Sequence, residues 1–164
     1  MRKTIIGVMG PGKGATEEDI RNAMEIGMLI AENEWILLSG GRKRGVMGAV
    51  NEGAKSKNGL TLGILPDDDE SQISDNVDIA IFSNMHSGRN YINVLSSDVV
   101  IACGINSGTS SEISLALSAD KNVILLNNNE SSKEFFKSIG EGLIHIVHTP
   151  KEAIEKTKEI LNSK

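Results

Sequence analysis

Asp98-Val99-Val100-Ile101-Ala102-Cys103-Gly104-Ile105-Asn106-Ser107-Gly108-Thr109-Ser110-Ser111-Glu112 is the stretch whose reading decides the fold. Its first six residues form a short run, apolar after Asp98, led by the β-branched Val99, Val100 and Ile101 and without alternation, which predicts a strand covered on both faces. A turn of small residues follows, and Gly108-Thr109 opens a helix. Just upstream, Met85-His86-Ser87-Gly88-Arg89-Asn90 opens another helix, predicted over 88–96. An arginine and a glutamate, Arg89 and Glu112, thus flank one buried strand.

The same grammar extends in both directions. Apolar runs at Thr4–Met9, Trp35–Leu38, Leu60–Leu65, Asp78–Phe82, Asn122–Leu126 and Ile144–Val147 read as strands. Between them lie helical repeats. The first is capped by Thr16 with acids in its first turn, where they complement the helix dipole. A second starts at Gly45 and fails near Asn58-Gly59, a third covers 132–139, and a last one runs from Lys151 to Leu161 with Pro150 in its first turn. Strands that are apolar throughout, alternating with helices, predict an α/β fold: a doubly wound, mainly parallel sheet with helices on both faces. In such folds ligands sit outside the carboxyl ends of the strands. The glycine turns after the first, second and fifth strands should therefore gather on one edge.

The chain has 164 residues, the size of one ordinary domain, and its net charge of −5 is spread along the sequence. With no basic stripe and only 3% aromatic residues, a generic nucleic-acid grip is disfavoured, including a stacking platform for single strands. The single cysteine excludes an internal disulfide and a cysteine-rich zinc site, and it fits a reducing cytoplasm. No apolar run approaches a membrane span, and the first one is too short for a signal peptide.

Three turns offer chemistry. Gly10-Pro11-Gly12-Lys13-Gly14-Ala15 fits a G-x-G-x-x-A dinucleotide pattern, yet Ser39-Gly40-Gly41 stands where the ribose-binding acid belongs. The same loop lacks the hydroxyl that a phosphate loop needs after its lysine. The reading left is a turn in which Gly10, Gly12 and Lys13 let a ligand or phosphate come close, against bare turn geometry. Gly40-Gly41-Arg42-Lys43-Arg44 is either a solvated loop or a ligand-facing turn with cations for a phosphate. Gly104 and Ser107-Gly108-Thr109-Ser110 form a helix-start anion site, in which free N–H groups and two hydroxyls suffice. Glu112, read in the first helical turn, either complements the dipole or works on a bound sugar. Arg89 at a helix start is unfavourable for the dipole, so orienting a ligand or pairing with Glu112 is its expected purpose. His86 reads as a secondary contact or a plain loop residue. Asp67-Asp68-Asp69-Glu70 reads as solvated loop, with a divalent-ion site as the alternative. His145 and His148 fall on opposite strand faces, so no metal site is assigned.

These residues carry a family likeness. Met85-His86-x-x-Arg89 with Gly104-x-x-x-Gly108-Thr109-x-x-Glu112, and Ser39-Gly40-Gly41 with Gly45-Val46-Met47-Gly48, resemble the paired signature of the LOG or "lysine decarboxylase-like" Rossmann superfamily (SLOG). The short, undecorated chain is most similar to the branch of molybdenum-cofactor carrier proteins, and more distantly to DprA-type DNA-processing domains. The resemblance implies a Rossmann-like fold and a homodimer or larger homo-oligomer. It also implies a cytoplasmic protein that binds a phosphorylated small molecule, a nucleotide or a molybdenum cofactor, with no required cofactor of its own. In LOG enzymes, which are nucleoside 5′-monophosphate phosphoribohydrolases, residues matching Arg89 and Glu112 are catalytic. The phosphate would rest on Ser107–Ser110, with Gly10, Gly12, Lys13, Gly40, Gly41, Met85 and Gly104 around it. The sequence departs from the enzymes at Gly104-Ile105-Asn106 for Pro-Gly-Gly, at Ser111 for the first paired glutamate and at Asn90 for the lysine after the arginine. Those departures favour binding over hydrolysis.

Overall fold

The strands and helices come in the order β1 (Ile5–Met9), α1 (Glu17–Glu32), β2 (Ile36–Ser39), α2 (Gly45–Ser56), β3 (Thr61–Leu65), β4 (Ile79–Phe82), α3 (Arg89–Ser96), β5 (Val99–Cys103), α4 (Ser107–Ser118), β6 (Val123–Leu126), α5 (Glu130–Ile139), β7 (Ile144–Ile146) and α6 (Pro150–Asn162). This computed structural model describes residues 2–126 and 129–163. All seven strands are parallel and lie in the order β4-β3-β2-β1-β5-β6-β7. The Rossmann-like doubly wound α/β fold is therefore as the apolar strands predict, and the winding direction reverses between β1 and β5.

Strand parity explains the two cores. Val99, Ile101 and Cys103 of β5 point to one face, with Ile6, Val8, Leu37 and Ile124. There they meet Ala23, Ile26 and Ile30 of α1, Val46 and Val50 of α2, and Ile154 of α6. Val100 and Ala102 point to the other face, with Met9, Leu38, Ile64 and Leu125, against Val94 of α3, Ile113 of α4 and Phe136 of α5. Every residue of β5 is buried, so burial on both faces, rather than alternation, is what its sequence encodes.

Helix starts follow local side-chain chemistry. Thr16 and Asp19 form a reciprocal capping box on α1. Thr149 caps α6, with Pro150 in its first turn. Helices α3 and α6 start within one residue of the expectation, at Arg89 and Pro150, and two further shifts have a side-chain cap as their reason. Helix α5 begins at Glu130 because the Asn129 side chain accepts from the Ser132 N–H (2.8 Å). Helix α4 begins at Ser107 rather than Gly108 because Asn106 is its cap, accepting from the Thr109 N–H at 2.9 Å.

The β3–β4 crossover has no helix. The intervening chain is pinned instead to the β2–α2 loop, through Lys43 N–H to Gln72 O (3.0 Å) and Ser74 N–H to Gly41 O (2.9 Å). β4 consequently leaves Ile79, Ile81 and Phe82 exposed.

Candidate functional site

The crevice at the switch point is a cleft of about 280 Å³ along the carboxyl ends of β5, β1, β2 and β3. Its walls include Gly10 and Gly12 after β1, Gly40 and Arg42 after β2, and Pro66 and Asp67 after β3. His86, Ser87, Arg89 and Asn90 come from the start of α3, and Asn106, Gly108, Thr109 and Glu112 from α4. Of the residues predicted for the site, the fold brings Gly10, Gly12, Gly40, Arg89, Gly108, Thr109 and Glu112 into this cleft. The others do not line it. Lys13, Met85 and Ser107 are exposed beside it, and Ser110 is half-buried on α4. Gly41 packs against Gly63 and Leu65, and Gly104 lies beneath the Asp19 carboxylate on the far side of the β5 turn.

Arg89 is the first residue of α3 and is buried. Its Nη1 donates to the carbonyl of Ile64 at the end of β3, while Nε has no hydrogen-bond partner among the described residues. Burial lowers its pKa from the ordinary value, and the nearby Glu112 opposes that shift. The guanidinium lies on the backbone of Gly40. A Cβ there would fall 2.5 Å from both Arg89 Nη1 and Met47 Sδ, so glycine is what allows the arginine to reach its place. The Gly40 turn is held from behind by Ser39, whose Oγ donates to Asn51 Oδ1 (3.2 Å) and accepts from the Gly41 N–H (3.1 Å).

Glu112 does not stand in the first turn of α4. Because the helix starts at Ser107, Glu112 is its sixth residue, is 7% exposed, and cannot be explained as a carboxylate complementing the helix end. Burial pushes its pKa up to about 7, with Arg89 and a hydrogen bond from Asn93 Nδ2 (3.3 Å) pulling it down. Arg89 and Glu112 form no direct ion pair. They act on each other through space across the cleft floor. Asn93, fully buried, has its Oδ1 without a partner among the described residues.

The departures from the enzyme signature have a structural logic. Asn106 does not crowd the turn as a bulky intruder; it caps α4 and also accepts from Thr109 Oγ1 (3.0 Å). Asn90 and Ser111 face each other, Asn90 Nδ2 donating to Ser111 Oγ at 3.5 Å. A neutral pair thus occupies both positions where LOG enzymes are expected to carry a lysine and a glutamate.

Sequence reasoning missed several residues. Asp67 leaves the acidic run and lines the cleft, where its Oδ2 pairs with Arg42 (2.5 Å). Of the three cations in the second loop only Arg42 lines the cleft; Lys43 and Arg44 are exposed. Asn84 and His86 adopt left-handed backbone (φ 49° and 48°), which is unfavourable for non-glycine residues and places His86 and Ser87 on the cleft rim. Cys103 is buried, donates to the Asp19 carbonyl, and has its pKa pushed up by burial and by Asp19 and Glu18, as suits an inert core thiol. Among the described residues no group of His, Cys, Asp and Glu could hold a metal ion, and no helix is long and apolar enough to cross a membrane.

A parallel doubly wound sheet, with a glycine-lined crevice and a helix start at its switch point, defines a Rossmann-like small-ligand-binding fold. Within that class the chain belongs to the SLOG cluster4 family, whose profile matches residues 3–154. It is similar to the molybdenum cofactor binding protein from the phototrophic bacterium Rippkaea orientalis, with 52% identity, 98% of this chain and 99% of that one covered, and a TM-score of 0.97. The molybdenum cofactor carrier protein of Chlamydomonas reinhardtii is 45% identical, with 98% and 99% covered and a TM-score of 0.93. An uncharacterized protein of Archaeoglobus fulgidus is 40% identical over 154 residues, 94% of each chain.

Proposed function

We propose that this protein is a cytoplasmic carrier that binds a phosphate-bearing pterin of the molybdenum-cofactor type. The observation that carries the reading is the near-complete superposition on the Rippkaea orientalis protein, at 52% identity and a TM-score of 0.97. The cleft supports it chemically. The phosphate would meet Gly10, Gly12 and the start of α4, where the N–H groups of Ser107 and Gly108 lie outside the intrahelical ladder. Arg89 would add positive charge from the cleft floor. The donor set suits the organic part of the cofactor, carried here as cargo, and the metal end would be held only through it.

Glu112 favours a second reading, a nucleoside 5′-monophosphate phosphoribohydrolase. A buried carboxylate beside Arg89 could stabilise an oxocarbenium-like ribose and position water. One observation weighs against it: the neutral Asn90–Ser111 pair removes an ionic partner from the signature. The working form is read as a homodimer or larger homo-oligomer, supported by exposed Ile81, Phe82, Tyr91 and Leu95 on β4 and α3.

The test is expression in a host that makes the cofactor, followed by extraction and fluorescence of the oxidised pterin. A yield close to one pterin per chain, lost in Arg89→Ala, is expected, together with no base release from AMP, GMP or CMP. Base release that disappears in Glu112→Ala, with no pterin retained, would establish the hydrolase instead.

A further inference from the structure

Arg42 and Asp67 form the one ion pair in the cleft wall among the described residues, and its geometry is lopsided. Arg42 Nε (3.2 Å) and Nη2 (2.5 Å) both donate to the same oxygen, Asp67 Oδ2. The usual fork-to-fork pairing would use both carboxylate oxygens. Here Oδ1 accepts no hydrogen bond among the described residues, although Asp67 is partly exposed on the cleft.

The pair is not needed to tie its two loops together. Lys43 N–H to Gln72 O and Ser74 N–H to Gly41 O already pin the β2–α2 loop to the β3–β4 connection. Pro66 and Asp67 are fixed separately by the His86 and Asn84 N–H groups on their carbonyls (3.0 and 3.4 Å). A partly exposed ion pair adds little stability of its own. What remains is a carboxylate oriented by an arginine on the cleft wall, with one oxygen that accepts no hydrogen bond among the described residues.

Its place in the sheet gives it a task. Asp67 follows β3, whereas the start of α4 follows β5, three strand spacings away in the order β3-β2-β1-β5, or roughly 14 Å. A ligand whose phosphate rests at α4 would put the opposite end of its heterocycle near Asp67. Resting on the binding function above, we propose that Asp67, held by Arg42, is the specificity-determining residue that reads a 2-amino-4-oxo-pyrimidine edge, the edge shared by pterins and guanine. The edge offers an amino group and an adjacent ring N–H to the carboxylate, and its carbonyl oxygen to the guanidinium. Adenine turns a ring nitrogen lone pair toward the carboxylate, and hypoxanthine lacks the amino group.

The experiment is calorimetric titration of the full-length protein and of Asp67→Asn with GMP, IMP, AMP and neopterin 3′-monophosphate. A hydrogen bond to a charged group corresponds to about tenfold or more in affinity. Wild type should bind GMP and the neopterin phosphate about tenfold more tightly than IMP and AMP. Asp67→Asn should weaken GMP and the neopterin phosphate most, weaken IMP less because hypoxanthine keeps the ring N–H, and leave AMP nearly unchanged, and Asp67→Glu should recover part of the preference. The ranking of GMP against the neopterin phosphate tells which source of the edge the cleft prefers. Equal binding of all four by wild type, or an equal loss of all four in Asp67→Asn, overturns the assignment alone. Tighter IMP binding in Asp67→Asn overturns it too, because it would show that the pair restrains Arg42 from the phosphate. Binding of none of the four removes this assignment and the function on which it rests.

Discussion

Replacing Glu112 by glutamine should make the unliganded protein more stable above neutral pH, and less so as the pH falls. In the folded protein the Glu112 carboxyl titrates at about 7, whereas an unfolded glutamate titrates near about 4.3. A carboxyl whose pKa rises on folding binds its proton more tightly in the native state. Between the two pKa values the folded form therefore holds a proton that the unfolded form has released, and stability falls as pH rises through that window. The full shift corresponds to roughly 3 to 4 kcal/mol, and the part between pH 5 and 8 to about 2 to 3 kcal/mol. At 7% exposure the side chain is screened little by solvent. Glu112→Gln removes this titration while leaving an acceptor for Asn93 Nδ2. Chemical denaturation of both proteins at pH 5, 6, 7 and 8 gives the difference in unfolding free energy at each pH. It should shift by about 2 to 3 kcal/mol in favour of the variant across the series, or roughly 5–10 °C in Tm. All other titrating groups cancel in the difference. Parallel curves would refute the buried, charge-disfavouring environment assigned to Glu112.

Two substitutions separate fold from site. Gly27→Ala puts a Cβ 2.1 Å from the Val50 carbonyl oxygen and 2.8 Å from the Ala54 nitrogen, so α1 and α2 must move apart. A loss of about 3 kcal/mol is expected, seen as a Tm lower by roughly 6–12 °C; a drop below about 2 °C would contradict the close helix crossing. Gly40→Ala meets first the Arg89 guanidinium and Met47 Sδ, side-chain atoms rather than backbone. It should keep Tm within about 4 °C of wild type while lowering retained ligand about tenfold or more, through displacement of Arg89. Unchanged retention would remove Arg89 from the binding surface.

The layers of the fold were legible because burial on both faces leaves a direct trace. Val99–Cys103 and Val123–Leu126 have no polar residue to mark a solvent face, and short apolar runs separated for the most part by helical repeats allow few arrangements. Arg89 and Glu112 were legible through spacing shared with a family rather than through local physics. What stayed hidden depends on chain meeting chain. Asp67 sits in a run of acids that reads as solvated loop, and nothing local says that this loop folds back on Arg42. Asn93 lies one helical turn after Arg89 on the same buried face of α3; two polar residues at that spacing were a usable signal. Glu112 stands beyond the first turn of α4 whether the helix is counted from Gly108 or from Ser107, where Asn106 caps it, so only residue counting along the helix separates it from a dipole-complementing carboxylate.

Native mass spectrometry of protein freshly purified from a cofactor-producing host tests the central claim most directly, since it reports subunit number and retained cargo in one spectrum. A homodimer or larger assembly carrying a pterin-phosphate mass on each chain, absent from Arg89→Ala, is expected. Chains that fly without added mass from such a host, and take up none when pterin phosphate is supplied, would contradict it.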